Sequence, residues 1–276
     1  MPAPISVIIP CYRAAHGVSR AVGSVLAQTC APAEIVLIDD GSDDSTLATL
    51  RMLEAQHKEP PIRVIALERN CGPGPARNKG WSAATQRYIA FLDHDDSWHA
   101  QKLEIQYEWM NAHPEVTLTG HRIVPGIKGT ASQFSPDNCR AHRVSPWSLL
   151  ISNRFETSSV MLRSDVPIRF DPSLRRIEDY GLWLDIVLRG YAAWRLELPL
   201  AVRHKAVFGE AGLSAELWAM ERWELNVYRR VWNERFIRLP TLALLFAWSL
   251  AKFVRRVIIT RLRAAATPAR RALPPS

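Results

Sequence analysis

Short apolar runs alternate with amphipathic stretches through the first third of the chain, and polar residues follow each run. The runs predict strands, and the apolar positions at helical spacing between them predict helices. The strands are expected over Ile5–Ile9, Ile35–Ile38, Arg63–Leu67 and Tyr88–Leu92, and the helices over Val18–Gln28, Ser45–His57 and Ala76–Ala84. This order predicts an α/β fold with an open, mostly parallel sheet and helices on both faces.

The pattern is less regular beyond Pro114. It predicts strands over Val116–Thr119 and Ser158–Leu162, and helices over Asp179–Leu188 and Ser214–Trp232. The last residues are rich in Ala, Pro and Arg, which is typical of disorder. We therefore expect an α/β domain over residues 1–215, a helical extension over 216–263 and a disordered basic tail over 264–276.

One apolar run in the extension, Leu239–Ala251, precedes basic residues. The run is too short to cross a bilayer, which takes about 20 apolar residues. The basic positions that follow it are Lys252, Arg255, Arg256, Arg261 and Arg263. This pattern is typical of a helix that lies in a membrane interface. The alternative is a helix that packs on the α/β domain or in a dimer contact.

The distribution of charge favours a membrane over nucleic acid as the partner. Lys and Arg number 35 against 27 Asp and Glu, for a net charge of +8. Much of the surplus follows Arg222, whereas the first half carries acidic groups such as Asp39-Asp40 and Asp93–Asp96. An acidic centre with a basic extension argues against a nucleic-acid groove and favours an anionic membrane surface.

The four cysteines form no CxxC pair, and the first residues resemble a strand more than a signal peptide. A reducing, cytoplasmic compartment is the expectation.

Polar side chains follow each of the first four predicted strands. They are Pro10–Arg13, Asp39–Ser42, Asn70–Gly72 and Asp93–Asp96. Ligands of open parallel sheets bind beyond the carboxyl ends of the strands. A single Asp at such a place is often only a turn or cap residue. Four consecutive polar strand ends predict a pocket.

The acidic group Asp93-His94-Asp95-Asp96 admits two interpretations. Clustered carboxylates suit a hard divalent ion such as Mg²⁺ or Mn²⁺, which would bridge and neutralise a diphosphate. They equally suit a solvated acidic turn before a helix over Trp98–Met110, with Asp96 as its cap.

Taken in order, several segments of the chain resemble the family 2 glycosyltransferases, which are inverting enzymes of the GT-A fold, a Rossmann-like α/β architecture. The matching segments are Ser6–Tyr12, Ser24–Thr29, Glu34–Thr46, Asn70–Gly80, Ile89–Trp98 and Glu178–Trp183. Each is moderately specific, whereas the ordered set over roughly residues 4–215 is strongly so.

The resemblance implies roles for particular residues. Tyr12 would pack on the nucleotide base and Asp40 would hydrogen-bond it, with Asp39 as the alternative. Asp95 would be the main metal ligand, and Asp93 would reach the ribose or a metal-bound water. The resemblance adds Pro10, Asn70 and Arg77 to the donor side, Glu178 and Trp183 to the acceptor side, and His204 as a further metal ligand.

Asp179 would be the catalytic base. Inverting transfer is a single in-line displacement, so one carboxylate must take the proton of the acceptor hydroxyl. Without the resemblance, a first-turn acid favoured by the helix dipole is the better interpretation of Asp179. His204 likewise admits a basic surface turn, and His94 replaces the small residue usual at its place in the family.

The expected function is transfer of a sugar from a nucleotide-diphosphate donor to a hydroxyl acceptor. A lipid-linked saccharide of a cell-surface polysaccharide pathway is the expected acceptor, with a protein or small molecule as alternatives. The expected location is the cytoplasmic face of a membrane. Two rival functions are a nucleotidyltransferase and a non-catalytic membrane-binding module. This sequence shows no Gly-rich triphosphate loop after its first predicted strand, which argues against a nucleotidyltransferase. The intact Asp93, Asp95 and Asp179 argue against a non-catalytic module.

Overall fold

The computed structural model describes residues 2–126, 134, 139–204 and 217–266. Its first half alternates strands and helices. These elements are β1 (Ala3–Cys11), α1 (Val18–Leu26), β2 (Pro32–Asp39), α2 (Thr46–Gln56), β3 (Ile62–Ala66), α3 (Pro73–Ala83) and β4 (Tyr88–Phe91). Each predicted strand and helix of this half is present, with ends shifted by at most three residues.

β3, β2, β1 and β4 lie side by side in that order, and all three pairings are parallel. Alternate residues of β1 face opposite sides of the sheet. Ile5, Val7 and Ile9 belong to one core cluster with Val18 and Val22 of α1. On the other side, Gly80 of α3 lies directly on β1 and β2. Helices therefore cover both faces, as predicted.

The second half extends this sheet with strands of mixed direction. Its elements are β5 (Asp96–Trp98), α4 (Lys102–Ala112), β6 (Val116–Pro125), β7 (Ala141–Arg143), α5 (Pro146–Ile151), a 3₁₀ turn (Thr157–Ser159), β8 (Met161–Arg163), α6 (Glu178–Leu188) and β9 (Ala192–Arg203). β8 pairs antiparallel with β4, and the order continues through β6 and β9 to β5. The resulting mixed, mostly parallel α/β sheet agrees with the predicted fold class.

The predicted helix over Trp98–Met110 starts too early. Asp96–Trp98 instead forms β5, which pairs antiparallel with Ala201–Arg203 of β9, and α4 begins at Lys102. Asp96 is therefore not a helix cap. The pairing partner lies about a hundred residues further along the chain, so local periodicity gave no sign of this strand.

Chain contacts divide the molecule into two units, Met1–Glu210 and Ala211–Ser276. In the second unit, α7 (Leu217–Asn233) and α8 (Leu239–Ala266) form a helical hairpin. Trp218 packs on Phe253, with ring centroids 4.3 Å apart. Lys252 and Arg256 of α8 pair with Glu224 of α7.

These two ion pairs alter the sequence-based expectation for α8. Lys252 and Arg256 were expected to supply charge beside the apolar run, yet both interact with a carboxylate of the neighbouring helix. Arg255 remains on the exposed side. Within the residues that the structure describes, no helix is both long and apolar enough to cross a membrane. The predicted tail begins inside α8, at residues 264–266, and 267–276 lie outside the described residues.

Candidate functional site

The carboxyl ends of the four parallel strands place their polar residues at one edge of the sheet. Cys11 lies opposite Asp39 in the register of β1 and β2, so the segments after these strands run side by side. The backbone N–H of Asp40 donates to the Cys11 carbonyl at 2.8 Å, and that of Leu67 donates to the Asp39 carbonyl at 2.8 Å. Three of the predicted polar segments thus meet at one place.

Asp40 holds the segment that follows β3. Its two carboxylate oxygens accept backbone N–H groups of Cys71 at 2.8 Å and Gly72 at 2.9 Å. Burial raises its pKa, and these two N–H groups act in the opposite direction. Gly41 has φ of 65°, and a Cβ there would lie 2.4 Å from the Arg69 carbonyl carbon, so glycine is required. Each oxygen of the Asp40 carboxylate thus uses one lone pair to hold the loop that follows β3.

Tyr12 presents its ring beside a fixed arginine. It is 37% exposed, and the Arg13 guanidinium carbon lies 5.3 Å from the ring centroid. Arg13 is itself held by Asp43, through Nε at 2.8 Å and Nη2 at 2.6 Å. A two-point pair of this kind fixes the guanidinium plane. An accessible aromatic ring of fixed surroundings suits stacking on a nucleobase.

Arg77 of α3 connects the acidic turn after β4 with the start of α6. Nη2 donates to Asp93 Oδ1 at 2.7 Å, and Nη1 donates to Glu178 Oε1 at 2.7 Å. Arg77 is only 4% exposed, so its charge depends on these two carboxylates. Residues 77, 93 and 178, from three different segments, form one network around the buried guanidinium.

Asp179 lies next to this network, in the first turn of α6. Its Oδ1 accepts the Tyr180 backbone N–H at 2.7 Å, and its Oδ2 accepts the Thr157 hydroxyl at 3.3 Å. Burial, and then the negative charge of Glu178, raise the pKa of Asp179 to about 7, against the opposing charge of Arg77. A carboxylate with this pKa is a competent proton acceptor near neutral pH.

His204 reaches the acidic turn through the pairing of β5 with β9. Its Nε2 lies 2.8 Å from the Ser97 hydroxyl. Burial, and then the charge of Arg20, lower the pKa of His204, while Asp95 opposes them. A lowered pKa favours the neutral ring, which is the form that binds metals.

The donor set after β4 fits a divalent ion that is shared with a ligand. Among the described residues, no three His, Cys, Asp or Glu side chains are grouped closely enough to hold an ion by themselves. Asp95 is half-buried, and Asp93 is engaged by Arg77. Mg²⁺ characteristically takes one or two carboxylates and completes its shell with water and substrate phosphates. Asp93 and Asp95 would supply carboxylates of this number, with water and substrate phosphates as the remaining ligands.

The remaining predicted residues differ in their surroundings. Asn70 is exposed at the pocket edge, and Pro10 is buried within β1. Trp183 is fully buried and packs edge-on against Phe170, with ring centroids 6.0 Å apart. Its side chain has no exposed surface, and its assignment to the acceptor side stays a prediction.

The sequence does not indicate Ser158 as a residue of the site, and it places Asp96 in the acidic group without this partner. Ser158, which is 1% exposed, donates to Asp96 Oδ2 at 2.6 Å and accepts the Asp93 backbone N–H at 3.1 Å. Asp96 is 6% exposed, and burial, then the charge of Asp93, raise its pKa to about 7. Ser158 lies in a segment whose pattern predicts an ordinary strand, and the hydroxyl residues on either side of it, Thr157 and Ser159, are a weak hint of buried polar contacts.

The model of Glycosyl transferase family 2 matches residues 6–166 of the chain. The putative teichuronic acid biosynthesis glycosyltransferase TuaG of Bacillus subtilis is 26% identical over 94% of this chain and 97% of its own length. The UDP-Glc:alpha-D-GlcNAc-diphosphoundecaprenol beta-1,3-glucosyltransferase WfgD of Escherichia coli is 31% identical over 66% of this chain and 69% of its own.

Solved structures show the same fold. S. aureus TarS 1–349 in complex with UDP-GlcNAc superposes with a TM-score of 0.66 at 19% identity, over 91% of this chain and 72% of that one. The mannosyltransferase PcManGT of Pyrobaculum calidifontis, in complex with GDP-Man and Mn²⁺, gives 0.63 at 17% identity, over 97% and 83%. The chain belongs to glycosyltransferase family 2 and has the GT-A fold that its sequence predicted.

Proposed function

We propose that the chain is an inverting glycosyltransferase that moves a sugar from a nucleotide-diphosphate-sugar donor to a hydroxyl acceptor. The observation that carries this proposal is the buried Arg77, which joins Asp93 to Glu178 through two bonds of 2.7 Å. One guanidinium thereby connects the donor-side acidic turn with the residue beside Asp179. A donor clamp and a proton acceptor within one network are what a single displacement requires.

Asp179 is the proposed general base. An inverting transfer needs one carboxylate facing the acceptor hydroxyl and no carboxylate nucleophile, unlike a retaining hydrolase. The pKa of about 7 means that Asp179 exists in both protonation states near neutral pH. It accepts the hydroxyl proton as the bond to the anomeric carbon forms, while Glu178 stays engaged by Arg77 at the acceptor side.

The donor would lie along the edge of the sheet. Tyr12 offers the ring for the base, and Asp40, or alternatively Asp39, hydrogen-bonds it. The other proposed contacts on this side are Pro10, Asn70, Arg77 and Asp93. Because both oxygens of Asp40 already accept backbone N–H groups, a base donor would use its remaining lone pairs.

Asp95 is the proposed principal ligand of a Mn²⁺ or Mg²⁺ ion, assisted by Asp93 and His204. Such an ion neutralises a diphosphate leaving group. The mannosyltransferase of similar fold binds Mn²⁺ together with its nucleotide sugar, which supports the proposal.

The names of the relatives support a lipid-linked saccharide of cell-surface polysaccharide synthesis as the acceptor. WfgD acts on a diphosphoundecaprenol-linked sugar, TuaG is assigned to teichuronic acid synthesis, and ExoO of Rhizobium meliloti to succinoglycan synthesis. ExoO is 31% identical over 64% of this chain and 54% of its own length. An acceptor of this kind is embedded in a membrane.

The C-terminal hairpin supports peripheral binding to the cytoplasmic face of such a membrane. Residues 239–266 contain no Asp or Glu. The exposed side of α8 carries Leu244, Leu250, Val254 and Ile258, which are 72%, 55%, 47% and 52% exposed, together with Arg255. Helices with an apolar stripe and basic neighbours bind in the interface of anionic bilayers.

Turnover of the Asp179→Asn variant tests the proposed base. Asn keeps the size of the side chain and removes its basicity, so release of nucleoside diphosphate in a donor panel should fall about 10²–10⁴-fold. Binding of the donor, measured by calorimetry, should stay within twofold of wild type. Wild-type turnover in the variant would reject Asp179 as the base.

The two rival functions give other products. Release of pyrophosphate from a nucleoside triphosphate would favour the nucleotidyltransferase. Vesicle binding with no turnover would favour the non-catalytic module.

Metal removal tests the donor site. UDP and GDP should bind the protein when MnCl₂ is present at or above the nucleotide concentration. Their affinity should fall about 10-fold or more with EDTA, because the carboxylates of the acidic turn repel an unscreened diphosphate. The Asp95→Asn variant should bind equally weakly in both conditions. Equal nucleotide affinity of the wild-type protein with and without EDTA would exclude the metal site.

A further inference from the structure

A single turn before β8 lies between the acidic turn and Asp179. It is the 3₁₀ turn Thr157–Ser159, whose three side chains are 6%, 1% and 0% exposed. Met161, which follows the turn, pairs with Ala90 of β4. The turn is therefore placed beside the end of β4, where the acidic residues begin.

Ser158 binds the acidic turn at three points. Its hydroxyl donates to Asp96 Oδ2 at 2.6 Å and accepts the Asp93 backbone N–H at 3.1 Å. Its carbonyl accepts the Trp98 indole N–H at 2.7 Å. Contacts at Asp93, before Asp95, and at Asp96 and Trp98, after it, leave this turn little freedom, because breaking any of them would leave a buried polar group unsatisfied.

Thr157, the neighbouring residue, contacts the proposed base. Its hydroxyl lies 3.3 Å from Asp179 Oδ2. The residue before it, Glu156, forms an ion pair with Arg203 at the end of β9. Ser159 in turn donates its hydroxyl to the Glu156 carbonyl at 2.7 Å. The turn is thus held at the sheet while its first two side chains reach in two directions.

We propose that Thr157 and Ser158 are positioning residues that fix the general base relative to the metal-binding turn. This inference rests on the proposed function. In-line transfer demands that the base and the leaving-group clamp lie on opposite sides of one carbon, and a misplacement of about 1 Å can cost 10²-fold in rate. Two adjacent residues of one rigid turn, one bonded to each group, set that separation.

Thr157→Val and Thr157→Ser separate the hydroxyl from the packing. Valine keeps the volume of threonine and removes the bond to Asp179, so kcat should fall about 10- to 100-fold with the donor KM within twofold of wild type. Serine keeps the hydroxyl, and its kcat should stay within about threefold. The matched control is Thr117→Val at the start of β6, a buried threonine outside the site that is 7% exposed. It should leave both constants unchanged.

Ser158→Ala tests the other half of the turn with a readout that does not depend on turnover. The Mn²⁺ concentration that gives half-maximal UDP binding should rise about 10-fold, as is usual when a residue supporting metal ligands is lost. A merely structural serine would lower the thermal midpoint and leave that concentration unchanged.

The inference is overturned if Thr157→Val keeps wild-type kcat, if Thr157→Val and Thr157→Ser lose activity equally, or if Ser158→Ala leaves the Mn²⁺ requirement unchanged. Failure of the proposed function looks different. There, Asp179→Asn would turn over normally or the wild-type protein would release no nucleoside diphosphate. A wild-type enzyme that depends on Asp179 but is indifferent to Thr157 contradicts the positioning role alone.

Discussion

At the scale of single residues, the site holds several charged side chains close together, and their burial costs the fold stability. Arg77 is 4% exposed and is balanced by Asp93 and Glu178, while Asp179 follows Glu178 in the first turn of α6. The pKa of Asp179 is about 7, against an ordinary value near 3.8, because burial and the negative charge of Glu178 destabilise its ionised form. The cost of ionising Asp179 in this environment makes its carboxylate basic enough to accept a proton.

The same pKa predicts a pH-dependent stability. Since the pKa of Asp179 is higher in the folded protein, protonation favours folding, and this contribution is complete below about pH 4 and lost as pH rises through about 7. Asp179→Asn removes the loss, so its thermal midpoint should exceed that of wild type more at pH 8.5 than at pH 5.5. For a half-buried group the gain is about 1 kcal/mol, or about 2–4 °C.

Asp43→Asn is the control for this measurement. Its bond to Arg13 lowers the pKa of Asp43, so the carboxylate is ionised throughout that range and its removal should change the midpoint equally at both pH values. A midpoint difference for Asp179→Asn that is constant with pH would contradict the raised pKa.

At the scale of elements, α3 places Arg77 because it lies unusually close to the sheet. A Cβ on Gly80 would lie 2.6 Å from Ile8 Cγ2 and 2.7 Å from Ile38 Cδ1. Real side-chain contacts are never so short, so the glycine is what permits the helix to pack there. The helix carries Arg77 three residues earlier, and its distance from the strands fixes the guanidinium between Asp93 and Glu178.

Gly80→Ala should therefore destabilise the α/β domain by about 1–3 kcal/mol, the cost of overpacking a core. Gly23→Ala is the control: it lies in α1, with nothing within 4 Å of the added Cβ, and alanine should stabilise that helix by about 0.5–1 kcal/mol. Urea unfolding of both variants measures the two changes. An unchanged free energy of unfolding for Gly80→Ala would show that α3 moves away from the sheet without cost.

At the scale of the whole molecule, the chain combines an α/β domain with a helical hairpin that exposes apolar side chains. Leu250 and Val254 lie on the exposed side of α8, whereas Lys252 and Arg256 pair with Glu224. Membrane attraction should then depend on the apolar stripe more than on these two cations. This ranking departs from the sequence pattern, in which all the basic residues appeared equivalent.

Sedimentation with phosphatidylglycerol vesicles tests the ranking. The double variant Leu250→Asn/Val254→Asn should bind at least 10-fold more weakly, because burial of each apolar side chain contributes about 1.5–3 kcal/mol. Arg255→Gln should bind the vesicles about fivefold more weakly than the wild type, because one surface charge contributes about 1 kcal/mol. The difference should be smaller at high salt, where the charge is screened. Met52→Asn, at a 49% exposed apolar position of the other unit, is the control and should bind as wild type. Undiminished binding of the double variant would exclude this face.

The sequence by itself determined the parallel half of the sheet and the polar residues at its edge. Strand and helix there are set by local periodicity, and the carboxyl ends of Ile5–Ile9, Ile35–Ile38 and Tyr88–Leu92 must meet once those strands are parallel. The ordered motifs then sufficed to identify the family, which the match over residues 6–166 confirmed.

Tertiary structure alone decided how those residues are connected. β5 forms because Asp96–Trp98 meets β9, and Ser158 reaches Asp96 across 62 positions. Trp183 lies on a helix that the sequence predicted, whereas its complete burial comes from packing in the folded structure, in part against Phe170. The physical reason is the same in each case: a residue's local pattern records its own backbone preference, whereas burial, ion pairing and pKa depend on partners supplied by distant segments.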